Sequence, residues 1–149
     1  MRKDEKMKKI VNLSVCIFLM VSTFLCLTSC DKKSESIDLW ECAIYKEDTT
    51  LWDGNKIIVV EVEAEEKTVE FTINTDKEIL GDALEEHNLI FGEQGAYGLY
   101  VKVVNGIKAD YDENQSYWGF NKDGESMMTG VDGEKISGGE HYEIVYTKQ

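Results

Sequence analysis

The chain has 149 residues, with 16 Lys and Arg against 29 Asp and Glu, two His and no Pro, for a formal net charge of −13. Five of the basic and two of the acidic residues fall within the first 29, so from residue 30 onward 11 basic face 27 acidic side chains, a net charge of −16. Such an excess of carboxylates repels phosphate backbones and anionic headgroups, which excludes nucleic acid as a partner and leaves neutral solutes, cations and cationic proteins.

The first element is an export leader. Arg2, Lys3, Lys6, Lys8 and Lys9 precede an uncharged run of 20 residues, 10–29. A basic head before an apolar stretch is the pattern of a signal peptide, and its length would also let it span a bilayer as a helix. The run closes on "LTSC", residues 27–30, which resembles the lipobox of bacterial lipoproteins: an aliphatic residue, two small ones, then the cysteine whose thiol takes up lipid. The expected organisation is therefore a lipoprotein signal peptide over 1–29, a polar tether from a lipidated Cys30 over 30–38, and a single α+β domain over 39–149. The protein is expected on a bacterial cell membrane, lipid-anchored and facing outside the cytoplasm. From residue 30 the chain has 120 residues, enough for one core. Cys16 and Cys26 leave with the leader, so Cys42 remains without a disulfide partner.

In the domain, Trp40, Cys42 and Ile44 alternate and predict a first strand over 39–46, with Cys42 as a small buried hydrophobe. In "KIIVVEVEAEEKTVEFTINT", Ile58, Val60, Val62 and Ala64 alternate, as do Val69, Phe71 and Ile73 beyond "EEK", which predicts a β-hairpin with one apolar and one acidic face. Next the period changes. Thr75 and Glu78 are spaced as a capping box, Ile79, Leu80, Ala83 and Leu84 lie at helical intervals, and Gly92 follows. One amphipathic helix of about three turns is predicted. Gly81 within it marks a close approach to a strand. "LYVKVVNG" predicts a strand ending in an Asn105-Gly106 turn, "SYWGFNKDG" a strand running into an Asp123-Gly124 turn, and "EHYEIVYT" a last strand with Tyr142, Ile144 and Tyr146 on one face. These elements make an α+β fold in which one helix lies on a mixed sheet, a two-layer sandwich.

The residues for chemistry are few. His87 stands at the end of the helix, and His141 lies beside Glu140 and Glu143 on the polar face of the last strand. Neither has a nucleophile at a spacing that would make a catalytic set, and the chain shows no phosphate loop, dinucleotide fingerprint or paired Cys/His pattern. No enzyme activity, no cofactor and no metal ligand set is expected. "DYDENQS" alternates oxygen side chains at Asp110, Asp112, Asn114 and Ser116, but Gln115 and Asn121 stand where a calcium loop needs Gly and Glu.

Taken in order, "ILGDALEEHNLI", "VKVVNG", "YWGFNKDG", "TGVD" and "ISGGEHYEIVYT" resemble an uncharacterised bacterial domain family that is itself similar to the C-terminal domain of transcobalamin and intrinsic factor, over residues 80–147. The resemblance implies a β-grasp-like fold and a soluble ligand, with cobalamin or another corrinoid as the class to test. The surface it implies runs over Tyr117, Gly119 and Asn121, with Tyr100 and Asp112 beside it. Alternation sets Tyr117, Gly119 and Asn121 on one face of their strand and turns Trp118 and Phe120 into the core. The leading expectation is a non-enzymatic, lipid-anchored binding module for a small ligand. The alternative is a surface interaction or adhesion domain that meets a protein partner through a sheet edge or sheet face.

Overall fold

The computed structural model describes residues 38–149, so the expected leader, the expected anchor at Cys30 and most of the expected tether lie outside the described residues. The elements run β1 (Thr49–Asp53), β2 (Lys56–Ala64), β3 (Lys67–Thr75), α1 (Leu80–Glu86), β4 (Ile90–Gly95), β5 (Gly98–Val104), β6 (Ile107–Lys108), α2 (Tyr111–Asn114), β7 (Ser116–Lys122), β8 (Glu125–Ser126) and β9 (His141–Lys148). Strands dominate and helices are short. A six-stranded mixed sheet has the order β1-β3-β2-β9-β7-β8, and a three-stranded antiparallel sheet the order β4-β5-β6.

The expected hairpin is β2–β3, paired from Lys56 opposite Thr75 to Ala64 opposite Lys67. Ile58, Val60, Val62, Ala64, Val69, Phe71 and Ile73 are all buried, one face of both strands, at about 1.5–3 kcal/mol for each large side chain. β9 runs parallel to β2 and antiparallel to β7, and it adds Tyr142 and Ile144 to the same buried face. Leu80, Ala83 and Leu84 of α1, Ile90 of β4 and Val101 and Val104 of β5 complete one hydrophobic cluster. The Asn105-Gly106 and Asp123-Gly124 turns both hold positive φ at both residues (50° and 81°, 53° and 82°), the geometry that matches strand twist in a two-residue hairpin.

Several expectations are corrected. Residues 39–46 are not a strand: Leu39–Cys42 form a 3-10 turn that Asp38 caps by accepting the Trp40 N–H at 3.0 Å. Its period of three buries Trp40 and Ala43 and leaves Cys42 exposed and Ile44 52% exposed, so Cys42 is no core residue. The Trp40 indole N–H donates to the Ala64 carbonyl at 3.0 Å, tying the turn to the end of the hairpin. The Thr75–Glu78 capping box does not form, because Thr75 is still the last residue of β3 and its hydroxyl accepts the Lys77 N–H. Ile79 pairs with Lys135 in an isolated bridge, and this delays the helix to Leu80 and shortens it to 7 residues, about two turns. Gly81 does make a close approach, but to a loop: its N–H donates to the Val131 carbonyl at 2.8 Å, and a Cβ would stand 3.2 Å from that oxygen. Gly92 lies inside β4 rather than beyond a helix, at a bulge where a Cβ would meet the Tyr100 carbonyl oxygen at 2.2 Å. β1 and β4 were not anticipated.

Candidate functional site

The apolar residues in the middle of the core-facing side of the six-stranded sheet are buried, and its other side carries half-exposed and exposed alternates. On β7 these are Tyr117, Gly119 and Asn121, the face that alternation assigned to them. Register sets Tyr117 opposite Thr147, Gly119 opposite Val145 and Asn121 opposite Glu143, so the strip continues onto β9. Their neighbours Ser116 and Trp118 turn inward and are buried, with the Trp118 ring meeting Tyr146 edge-on at 5.3 Å; Phe120 packs half-buried against the core.

Gly119 needs no special conformation and has room for more. Its φ is not positive, and a Cβ there would be 3.8 Å from the Val145 carbonyl, an ordinary contact. The fold therefore tolerates a side chain at a position where the chain has none. The result is a low, flat patch of backbone between the Tyr117 ring and the Asn121 amide.

Around it the outward face is acidic. Glu61 lies opposite Glu143 and Glu70, and Asn121 extends the same row onto β7. His141 stands one row away, its Nε2 3.2 Å from Glu61 Oε1 and its Nδ1 3.8 Å from Glu143 Oε1. The Gly124 N–H donates to Glu143 Oε1 at 3.1 Å, and Ser126 Oγ donates to Asn121 Oδ1 at 3.4 Å, so the β7–β8 turn holds both acceptors in place.

Two of the residues proposed from sequence stand elsewhere. Tyr100 is on β5 in the three-stranded sheet, 47% exposed and opposite Glu93. Asp112 lies in α2, beyond the Ser116 end of β7, whereas His141 lies by the other end, where its carbonyl accepts the Asp123 N–H. His141, Glu143 and Asp112 thus form no group. The alternating oxygens of "DYDENQS" are spent locally: Asp110 accepts the N–H groups of Asp112 and Glu113 and pairs with Lys108 at 3.0 Å. Among the described residues no group of three or more His, Cys, Asp and Glu side chains is arranged to hold a metal.

A clasp secures the last loop beneath the sheet. Lys122 Nζ lies 2.7 Å from Glu134 Oε1, and the Tyr142 hydroxyl donates to the same oxygen at 3.4 Å. The Lys122 ammonium holds the Glu134 carboxyl below its ordinary range, and burial pushes the Tyr142 phenol up to about 12. Further along, the Glu140 carboxylate accepts the N–H groups of Ser137 and Gly138, each at 2.8 Å. Burial pushes Glu140 up, but these backbone bonds outweigh it and hold the group low. The "ISGGE" stretch is therefore a side-chain-capped turn that feeds β9.

A groove of about 480 Å³ at the β2–β3 turn, lined by Asp38, Trp40, Ala64, Glu65, Glu66 and Lys67, escaped sequence reasoning. It brings Asp38 and Trp40 to a turn 24 or more residues away in the chain, and no local pattern signals such a meeting. It shares no residue with the β7 strip.

Residues 77–148 match the family model described as Domain of unknown function (DUF4430). A solved structure described as a "putative metal binding protein" from Ruminococcus gnavus ATCC 29149 is 34% identical, with a TM-score of 0.60, and the match covers 64% of this chain and 99% of that one. The chain belongs to the DUF4430 family. The DUF4430 match takes in α1, β4 to β9 and the clasp, and it leaves out the β2–β3 hairpin. The structure of haptocorrin in complex with Cbi also aligns, at 21% identity and a TM-score of 0.46, over 62% of this chain and 25% of the haptocorrin chain, a likeness too slight to carry further argument. No curated protein matches.

Proposed function

We propose that this DUF4430 protein is a non-enzymatic binding module, anchored outside the cytoplasm by a lipid on Cys30, that takes a small soluble ligand on the outward face of β7. The observation that carries the reading is Gly119, a glycine with no steric or torsional requirement between Tyr117 and Asn121 on a half-exposed face. A ligand with a planar part lies over bare backbone at Gly119, stacks against the Tyr117 ring and meets the amide of Asn121. A corrinoid is the first class to test, because the order of elements over residues 80–147 resembles the C-terminal domain of transcobalamin and intrinsic factor. We read the architecture in the same terms, as a β-grasp-like two-layer sandwich with α1 on the sheet.

Equilibrium dialysis of the full-length protein against cobalamin and cobinamide tests this. Retention of either at micromolar protein supports the reading, and no retention at high micromolar protein removes the corrinoid. The Ruminococcus gnavus relative is described by metal binding, so parallel dialysis against zinc and calcium is informative. Tight metal uptake without corrinoid uptake would replace the organic ligand with a cation.

A further inference from the structure

The outward face of the six-stranded sheet has a second part, away from β7. At its β1 end Trp52 and Ile57 share a row with Asn74 between them, and they are 76% and 51% exposed while Asn74 is buried. Two strand spacings put these apolar side chains about 10 Å apart, and Val59 follows about 7 Å along β2. A further 7 Å on comes the row of Glu70, Glu61 and Glu143.

Pairing register assigns every strand residue of this sheet to a side. Lys56, Lys67, Lys122 and Lys148 all share the side of the core-facing residues, opposite Thr75, Ala64, Tyr142 and Ser116. The outward side therefore holds four carboxylates, at Glu61, Glu63, Glu70 and Glu143, and no strand lysine. His141, between Glu61 and Glu143, is the one basic side chain among its strand residues, and the described chain has 9 Lys against 25 Asp and Glu. Strand lysines are thus confined to one side of the sheet, which also carries Asp53 and Glu125, while the other side is acidic with an exposed tryptophan beside its carboxylate rows.

We infer that the β1–β3–β2 part of this face docks a cationic protein partner. Trp52 supplies the anchor: a large rigid side chain whose burial contributes more to binding than most contacts around it. The carboxylate rows supply selection, since a basic surface is steered toward them and an acidic one repelled. They also argue against a second copy of this chain, whose matching face carries the same sign. This inference stands apart from the β7 ligand strip, and either can fail without the other.

The test uses full-length protein and, as probe, a fluorescent ten-residue peptide alternating lysine and leucine, titrated by anisotropy at low and physiological salt. Binding is expected to weaken at least tenfold in Trp52→Ser, which leaves the charge unchanged, and in Glu61→Gln/Glu70→Gln, a pair that faces across β2 and β3. It is expected to stay within twofold in Glu41→Gln/Glu85→Gln, which removes the same charge from exposed positions off the sheet. Equal losses in the two charge pairs would reduce the effect to net charge and overturn the inference. So would undiminished binding by Trp52→Ser, no binding by the wild type, or Trp52-dependent binding to neutral phosphatidylcholine vesicles in place of the peptide. Circular dichroism of each variant guards against loss of fold.

Discussion

Asn105 shows how much one polar residue can hold. Fully buried at φ 50°, it accepts the Tyr45 N–H through Oδ1 at 2.9 Å and donates to the Tyr45 carbonyl through Nδ2 at 2.8 Å, joining the N-terminal segment to the β5–β6 turn. Alanine there would lose both bonds and hold a left-handed backbone that asparagine tolerates better, so Asn105→Ala should cost about 2–4 kcal/mol in urea unfolding. A loss below about 0.5 kcal/mol would mean the Tyr45 segment is held by other contacts. The clasp gives a pH signature. Glu134 is held low, so its contribution is complete above its ordinary 4.5 and is lost as pH falls through the lowered value. Tyr142 is raised to about 12 and Lys122 is raised by its bond to Glu134; their contributions are whole below 10.0 and 10.5 and are lost as pH rises through the folded values. Glu134→Gln should flatten the acid limb of a melting-temperature profile below pH 4.5. An unchanged limb would place acid sensitivity elsewhere.

Among the elements, two glycines in strands make opposite demands. Gly92→Ala puts a Cβ 2.2 Å from the Tyr100 carbonyl, so the β4–β5 pair has to shift, at roughly 2 kcal/mol or more. Gly119→Ala meets nothing closer than 3.8 Å and should leave stability equal or slightly higher, since alanine loses less backbone freedom in a strand. Thermal melts of the two variants check both statements, and a large loss in Gly119→Ala would make that glycine structural. The β2–β3 hairpin, β7 and β9 were legible because each turns one alternating set of apolar side chains into the core, and a one-residue slip would expose that set. The parity of Tyr117, Gly119 and Asn121 was legible for the same reason. β1 was not, since an edge strand with Leu51 alone turned well into the core carries no alternation. Trp40, Cys42 and Ile44 gave a false period of two, because long-range packing on Ala64 chose a turn of three. The capping box misled because β3 ran on through Thr75. Tyr100 could not be separated from the β7 strip by sequence, since the split into two sheets depends on pairings between distant strands.

At the scale of the molecule, charge is the dominant property, with 9 Lys against 25 Asp and Glu from residue 38 onward. Self-repulsion of this kind is screened by salt, so the melting temperature should rise between about 10 and 300 mM sodium chloride; a fall would mean that the surface ion pairs outweigh the net repulsion. The proposed lipid attachment at Cys30 has a test of its own. Cys30→Ser should abolish incorporation of labelled fatty acid and release the protein from the membrane fraction, and continued retention would point to an uncleaved apolar anchor. The central claim is that bare backbone at Gly119 receives a ligand, and one substitution addresses it. Gly119→Leu covers the patch without touching the core, so absorption titration with cobinamide and cobalamin should show at least a tenfold loss of affinity against wild type at an unchanged melting temperature. Equal affinity in the variant, or no spectral change with wild type at high micromolar protein, would contradict it.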